Sequence, residues 1–171
     1  MLLRVIFGIE VPNSGVVARE LGDKVENMAE IRHSISISAR RERVFPLIAS
    51  GSGFARWWTA DVIEDCSTRI VEVAFFHRAT VYRFKPIQRS APWTAGWACQ
   101  TGQEWTGTRL LFELTETSGR TQLCFTHADW QAETDYFVSC TKVWEELMLR
   151  LKAAAEGESL GPLFSTDRLA F

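Results

Sequence analysis

The sequence pattern that most constrains the fold is a long amphipathic helix that follows an extended series of strands. After Trp130, apolar side chains recur every three or four residues, which is the period of an α-helix with one apolar face. Charged side chains between Lys142 and Arg150 occupy the opposite face. Gly157 is a suitable stop for this helix. The apolar stripe consists of Phe137, Cys140, Val143, Trp144, Leu147, Met148 and Leu151.

The segment from Asp61 to His127 has the pattern of successive strands. β-Branched and aromatic residues dominate it, and turn residues separate the runs. The last two strands are expected to form a hairpin around Ser118-Gly119, because their apolar positions alternate in the same rhythm. The predicted strands are Ile70–Phe76, Thr80–Ile87, Thr94–Gln100, Arg109–Thr115 and Thr121–His127.

One further strand and two short helices are predicted before this segment. Ile31–Ser38 alternates apolar and polar side chains, as half-buried strands do. Ser38 is a suitable N-cap for the first helix, and Pro46 is expected to kink that helix or shift its start. A second short helix is predicted over Phe54–Trp58, after a break at Ser-Gly-Ser-Gly. The apolar stripe of the first helix consists of Val44, Phe45, Ile48 and Ala49.

This order of elements predicts an α+β fold, in which a curved antiparallel sheet wraps around the C-terminal helix. An antiparallel meander leaves one face of the sheet uncovered, and a long helix with one apolar stripe can cover it. The domain is predicted to span residues 31–157, with residues 1–30 as an N-terminal extension and 158–171 as a C-terminal tail. Val17–Met28, within the extension, has the pattern of a weak helix.

Charge and cysteine usage exclude several classes of partner. A net charge of −2 and a pI near 6.0 provide no long-range field for nucleic acid or an anionic membrane. Met1–Ile9 is apolar but too short to span a bilayer, and no cleavage site of the usual pattern follows it. The cysteines form no CxxC pair, so we expect reduced, buried thiols in a cytoplasmic protein. They are Cys66, Cys99, Cys124 and Cys140.

Motifs for cofactors and for nucleophilic catalysis are absent from the sequence. It contains no Gly-x-Ser-x-Gly elbow, no Walker loop, no Gly-x-Gly-x-x-Gly and no His-Glu-x-x-His. No histidine lies at metal-ligand spacing from a cysteine. Glu104, Glu113 and Glu116 share no predicted buried face, so they do not form a carboxylate pair for acid–base catalysis. The sequence therefore predicts no metal and no cofactor.

Several motifs between Ile31 and Glu156 carry a resemblance to a known family. They are Trp97-Ala98-Cys99, Trp105-Thr106-Gly107-Thr108, Phe112-Glu113-Leu114, Thr121–His127 and Trp144. In these motifs and in its order of elements, the chain resembles the SRPBCC superfamily of START-like, helix-grip proteins. The most similar branch is named after the activator of the heat-shock-protein-90 ATPase. The resemblance implies a cavity between the sheet and the C-terminal helix, which the superfamily uses for apolar guests.

Inward-facing side chains of the sheet and the helix are candidates to line such a cavity, or else they pack on one another as core. His127 lies on the same side of its strand as Phe125 and Leu123. It could act as a general base, hold the polar end of a ligand, or be a satisfied core histidine. The predicted ligand-binding residues are Trp57, Phe75, Tyr82, Phe84, Trp97, Phe112, Phe125, His127, Trp144 and Met148.

Three functions fit these observations. The first is binding of a small apolar or aromatic molecule, which predicts an enclosed pocket of several hundred Å³. The second is a co-chaperone-like protein-interaction module, which predicts a filled interior and an exposed patch. The third is an enzyme of the cyclase or lyase kind, which would use His127 or Tyr82 as a titratable group facing a cavity. A homodimer is compatible with each, and so is a chaperone partner for the second.

Overall fold

Seven antiparallel strands form one sheet in the computed structural model, which describes residues 28–165. In chain order they are β1 (Ala29–Ile37), β2 (Asp61–Glu64), β3 (Val71–Phe75), β4 (Thr80–Ser90), β5 (Thr94–Thr101), β6 (Arg109–Thr117) and β7 (Arg120–Trp130). Their order across the sheet is β1-β7-β6-β5-β4-β3-β2. Strands β2 to β7 are therefore a meander, and β1 pairs with its last strand. The helix predicted over Val17–Met28 lies, except for Met28, outside the described residues.

The long C-terminal helix, α3 (Asp135–Glu156), confirms the helix-grip prediction. It begins at an N-cap, where the side chain of Thr134 accepts a hydrogen bond from the N–H of Phe137. It ends at Gly157, whose φ of 92° is the left-handed conformation that favours glycine. The prediction for Val143 is wrong, because this residue lies at the margin of the covered stripe and is 38% exposed.

The two short helices, α1 (Arg41–Ile48) and α2 (Gly51–Phe54), both begin at residues other than those predicted. Ser38 is not an N-cap; its N–H instead donates to the carboxylate of Glu156. The prediction of a helix over Phe54–Trp58 is also wrong, because Ser50 caps α2 by accepting from the N–H of Gly53. A side chain at Gly53 would lie 2.2 Å from the carbonyl oxygen of Pro46, so α2 packs against α1 only with glycine there.

The β6–β7 hairpin confirms the pairing that the sequence predicts. Phe112 lies opposite Phe125, and Leu114 lies opposite Leu123. All four side chains are buried, because residues two apart in a strand face the same side of the sheet. The turn contains Ser118, whose φ is positive.

Strand β1 is an edge strand of the sheet, and side chains of α3 cover part of its free edge. The ammonium group of Lys152 donates to the carbonyl oxygen of Ser36 at 2.8 Å. The carboxylate of Glu156 accepts from the N–H of Ser38 at 2.6 Å. These contacts hold the last turns of α3 against the end of β1.

The cysteines only partly match the prediction of buried thiols. Cys99 and Cys140 are buried, whereas Cys66 and Cys124 are exposed, and all four are free. Cys66 lies in the turn after β2, and Cys124 faces away from the core on β7. Residues 28–165 include no helix with the length and apolar character that crossing a bilayer requires.

Candidate functional site

The predicted ligand-binding side chains lie in the buried core of the domain. Two of them, Trp57 and Trp97, lie against α1, where their indole N–H groups donate to the carbonyl oxygens of Leu47 and Ile48 at 2.9 Å. Even Phe75, the most accessible of them, is only 8% exposed. The rings of Phe125 and Trp144 have centroids 4.3 Å apart, and Phe112 lies 5.0 Å from Phe125. The structure therefore uses these rings as core, at the place where the resemblance implies a cavity.

Three further tryptophans, which the sequence prediction of this site omits, lie in the same cluster. Trp58 is 5.1 Å from Trp144, and Trp105 stacks on Tyr82 at 4.5 Å. Trp130 lies 4.7 Å from His127. Trp58 and Trp105 come from irregular segments, where no period indicates which side chain faces inward.

Trp130 faces inward because the strand pairing shifts by one residue next to it. His127 pairs with Ile31, whereas Trp130 pairs with Ala29, so β7 has an extra residue between the pairs. The extra residue forms a β-bulge, in which Asp129 adopts a φ of 66°. A strict two-residue period from His127 would place Trp130 on the outer face.

His127 is fully buried within a chain of hydrogen bonds that satisfies both ring nitrogens. The indole N–H of Trp144 donates to Nδ1 across 3.1 Å. Because Nδ1 must then be an acceptor, Nε2 carries the proton and donates to Oγ1 of Thr108 at 2.8 Å. That hydroxyl in turn donates to the carbonyl oxygen of Trp105 at 2.7 Å.

This network makes His127 a neutral structural residue. Burial lowers the pKa of His127 to about 3, because the charged imidazolium would have no water around it. Protonation would also set an Nδ1–H donor against the N–H of Trp144. The lone pair that a general base requires is already occupied, so the arrangement favours the core-histidine interpretation.

The buried hydroxyl and thiol groups next to this network are protonated at neutral pH. Tyr82 and Tyr136 hydrogen-bond to each other through their hydroxyl groups. Burial raises the pKa of both phenols, and it raises the pKa of the Cys140 thiol. Burial also raises the pKa of Cys99 to about 12. These groups are therefore weak nucleophiles, since a thiolate or phenolate is the reactive form.

The three glutamates considered as a carboxylate pair lie apart from this interior. Glu113 is exposed on β6, as predicted. Glu116 accepts from the N–H of Arg41, and Glu104 accepts from the hydroxyl of Thr134 at 2.5 Å. Glu104 and Glu116 thus hold local structure, and Glu113 faces solvent.

The described residues form at least two surface clefts. The first, of about 240 Å³, lies beside β4 and β5. It is lined by Ala49, Arg69, Pro86, Gln88, Arg89, Ala95 and Trp97. The second, of about 360 Å³, lies between the Gln103–Trp105 turn and the start of α3. Its lining residues are Gln103, Glu104, Thr106, Trp130, Gln131, Ala132 and Thr134.

The C-terminal tail folds back over the end of the core. The guanidinium group of Arg150 donates to the carbonyl oxygens of Leu160 and Gly161, both at 3.1 Å. Beyond this point, Phe164 forms a parallel bridge with Thr59, in the segment that follows Trp58. The side chain of Phe164 packs edge-to-face on Phe75, with ring centroids 4.9 Å apart.

Comparison with known proteins identifies similar structures. No family model matches the sequence, and no curated protein matches it. The Aha1 protein of Colwellia psychrerythraea, whose structure in solution is a dimer, is 27% identical. The match covers 76% of this chain and 98% of that chain, with a TM-score of 0.66.

Two other solved structures share the fold at lower identity. The XoxI protein of Bacillus cereus is 12% identical over 76% of this chain and 97% of its own, with a TM-score of 0.64. A Bordetella parapertussis protein is 19% identical over 85% of this chain and 83% of its own, with a TM-score of 0.59. The chain therefore has the helix-grip fold, and its similarity to Aha1 and to other proteins of this fold is consistent with the SRPBCC superfamily.

Proposed function

We propose that this chain is a protein-interaction module of the co-chaperone kind. The observation that carries the proposal is the packed interior, in which Trp58, Trp144 and Phe125 fill the space between sheet and helix. A guest in that space would have to displace large rings that already contact one another, and core side chains at native density resist such displacement. We therefore expect the domain to bind its partner through its surface and not through its interior.

Similarity to Aha1 supports a chaperone as the partner. That relative matches over 98% of its length, and its name denotes an activator of the Hsp90 ATPase. An Hsp90-type chaperone is accordingly the first partner to test for this chain. The relative also forms a dimer, so a homodimer belongs to the same proposal. A cytoplasmic location belongs to it too, because the four free thiols suit a reducing compartment.

Stimulation of a purified bacterial Hsp90 tests this function. The rate of ATP hydrolysis is measured while this protein is added, and binding is measured by calorimetry in parallel. We expect saturable binding together with a higher hydrolysis rate. The XoxI protein, which shares the fold at 12% identity, serves as the matched control. Absence of binding at ~100 µM, a concentration that detects weak complexes, would contradict the chaperone assignment.

The first cleft favours a second candidate function, binding of a small aromatic anion. Of the predicted ligand-binding residues, Trp97 lines this cleft with the 3% of its surface that is exposed, and the partly exposed Pro86 lines it as well. Arg89 also lines it, and in the described part of the chain Arg89 forms no ion pair. A partly apolar cleft with an available guanidinium group suits a ring that carries a carboxylate.

Native mass spectrometry and tryptophan fluorescence, each with a panel of aromatic acids, test this second function. Saturable quenching of tryptophan fluorescence that is lost in Arg89→Gln would support it. Equal quenching in the wild type and in Arg89→Gln would rule out this cleft as the site. Lys85→Gln, which alters a charge on the same strand outside the cleft, is the control.

A further inference from the structure

The C-terminal tail is held by the domain in the way that an extended peptide is held by a receptor. The N–H of Leu163 donates to the carbonyl oxygen of Trp57 at 3.1 Å, and the N–H of Phe164 donates to that of Trp58 at 3.0 Å. In return, the carbonyl oxygen of Phe164 accepts from the N–H of Ala60 at 2.9 Å. Main-chain bonds of this kind accept many sequences, so a different peptide could form them.

One side chain of the tail adds specificity to these main-chain bonds. The ring of Phe164 lies 4.9 Å from Phe75 and 6.4 Å from Phe76, edge-to-face with both. Phe75 itself packs edge-to-face on Tyr82, 5.7 Å away, and is 8% exposed, so neighbouring side chains restrict the position of its ring. An aromatic side chain at the position of Phe164 is therefore the feature that the surface selects.

The turn that presents Phe76 is constrained independently of the tail. Phe76, His77 and Arg78 all have positive φ, between 52° and 64°, which is costly for residues other than glycine. The guanidinium group of Arg78 holds the turn by pairing with Asp61 at 2.6 Å and Glu72 at 2.7 Å. As a result Phe76 remains 53% exposed, next to the bound tail.

We propose that the surface formed by Trp57–Ala60, Phe75 and Phe76 is a peptide-binding site that the chain's own tail occupies. A protein partner would displace the tail with an extended segment that carries an aromatic residue in the place of Phe164. The inference deepens the proposed function, on which it rests, by naming the docking surface and the chemistry of the partner segment. A tethered tail competes at a high effective concentration, so it lowers the apparent affinity for the partner.

Binding of a peptide in trans tests the site without any chaperone. The probe is a fluorescent peptide with the sequence of residues 159–166, Ser-Leu-Gly-Pro-Leu-Phe-Ser-Thr. Phe164→Ala in the full chain removes the anchor of the tail, so this variant should bind the probe at least ~10-fold more tightly than the wild type does. A probe in which alanine replaces its phenylalanine should not bind. Leu160→Ala, at an exposed tail residue, should behave like the wild type.

Amide exchange in the wild-type chain provides a second, independent measurement. If the tail leaves its site locally, the amides of Ala60, Leu163 and Phe164 exchange faster than the paired amides of β6 and β7. Exchange of these three only together with global unfolding would overturn the inference, and so would failure of folded Phe164→Ala to bind the probe. If the wild type does not stimulate Hsp90 but Phe164→Ala binds the probe, only the proposed function is overturned.

Discussion

The indole N–H of Trp144 and Nδ1 of His127 are 3.1 Å apart, and this bond determines which imidazole nitrogen carries the proton. It joins α3 to β7 in the centre of the core. Because Thr108 accepts from the other nitrogen, a single neutral tautomer satisfies the whole chain of groups. The pH dependence of folding should report on this arrangement.

We expect folding stability to decline as the pH falls below the ordinary range for histidine. The pKa of His127 is lowered to about 3 in the folded chain, from an ordinary value of 6.5. The unfolded chain therefore binds a proton that the folded chain excludes. The contribution of His127 to the free energy of unfolding is fully present above pH 6.5 and is lost as the pH falls from 6.5 to about 3. The slope from this one proton is about 1.4 kcal/mol per pH unit.

Urea unfolding of wild type and His127→Gln at several pH values between 7 and about 4 checks this prediction. Glutamine can accept from Trp144 and donate to Thr108, but it does not titrate. In the variant, the free energy of unfolding should depend less steeply on pH, by about 1.4 kcal/mol per pH unit, which is the slope from one proton. Parallel stability curves for the two proteins would assign the acid sensitivity to other groups.

The hydrogen bond of Trp144 can be separated from its packing by comparison with Trp130. Both indoles are 1% exposed, but the N–H of Trp130 has no hydrogen-bond partner among the described residues, whereas that of Trp144 donates to His127. Phenylalanine at either position removes the same atoms. Trp144→Phe should therefore lower the free energy of unfolding by ~1–3 kcal/mol more than Trp130→Phe does, because it leaves Nδ1 of His127 unsatisfied. Equal losses in denaturant titrations would mean that the bond contributes no net stability.

Thiol accessibility should divide the cysteines into two pairs. Cys66 and Cys124 are exposed and should react with a thiol reagent in the native protein. Cys99 should resist, since its pKa of about 12 leaves almost no thiolate and its side chain is buried. Cys140 should also resist, because it is buried and burial raises the pKa of its thiol. Peptide mapping after labelling, with urea-unfolded protein as the reference, would show the difference; native labelling of Cys140 would contradict the packing around it.

The turn between β3 and β4 offers a stabilising substitution. His77 is exposed and has a φ of 55°, a conformation that costs a side-chain-bearing residue about 1–2 kcal/mol. His77→Gly should raise the thermal midpoint, because the relief of this cost exceeds the added chain entropy of glycine, roughly 0.5–1 kcal/mol. Calorimetry checks the direction of the change. His77→Ala is the control and should not stabilise, since alanine retains the unfavourable φ.

Local patterns predicted the regular elements of this fold, and non-local contacts explain the errors. The stripe of α3 and the alternation of β6 and β7 follow from the helical and strand periods, so both were found. The end of β1 is instead tied to Glu156, more than a hundred residues away, and nothing near Ser38 indicates that contact. Likewise, the packing of α2 against α1 depends on how closely Gly53 approaches Pro46.

The sequence predicted which side chains face the interior, but not whether they border a cavity. The sequence identifies Phe112, Phe125 and Trp144 as inward-facing, and all three are buried. Whether they border a cavity depends on the rings of Trp58 and Trp105, which irregular segments place against them. The docking surface for the tail was not predicted, because its bonds to Trp57 and Ala60 are main-chain bonds that any sequence can make.

The contacts of Lys152 and Glu156 with β1 have a consequence for self-association. An unpaired strand at the margin of a sheet is a template on which a further strand, from any chain, can be added. Here the ammonium group of Lys152 donates a hydrogen bond to the carbonyl oxygen of Ser36, and the carboxylate of Glu156 accepts one from the N–H of Ser38. An incoming strand would have to break both charged contacts. The helix that covers the core thus also blocks growth of the sheet at this end of β1.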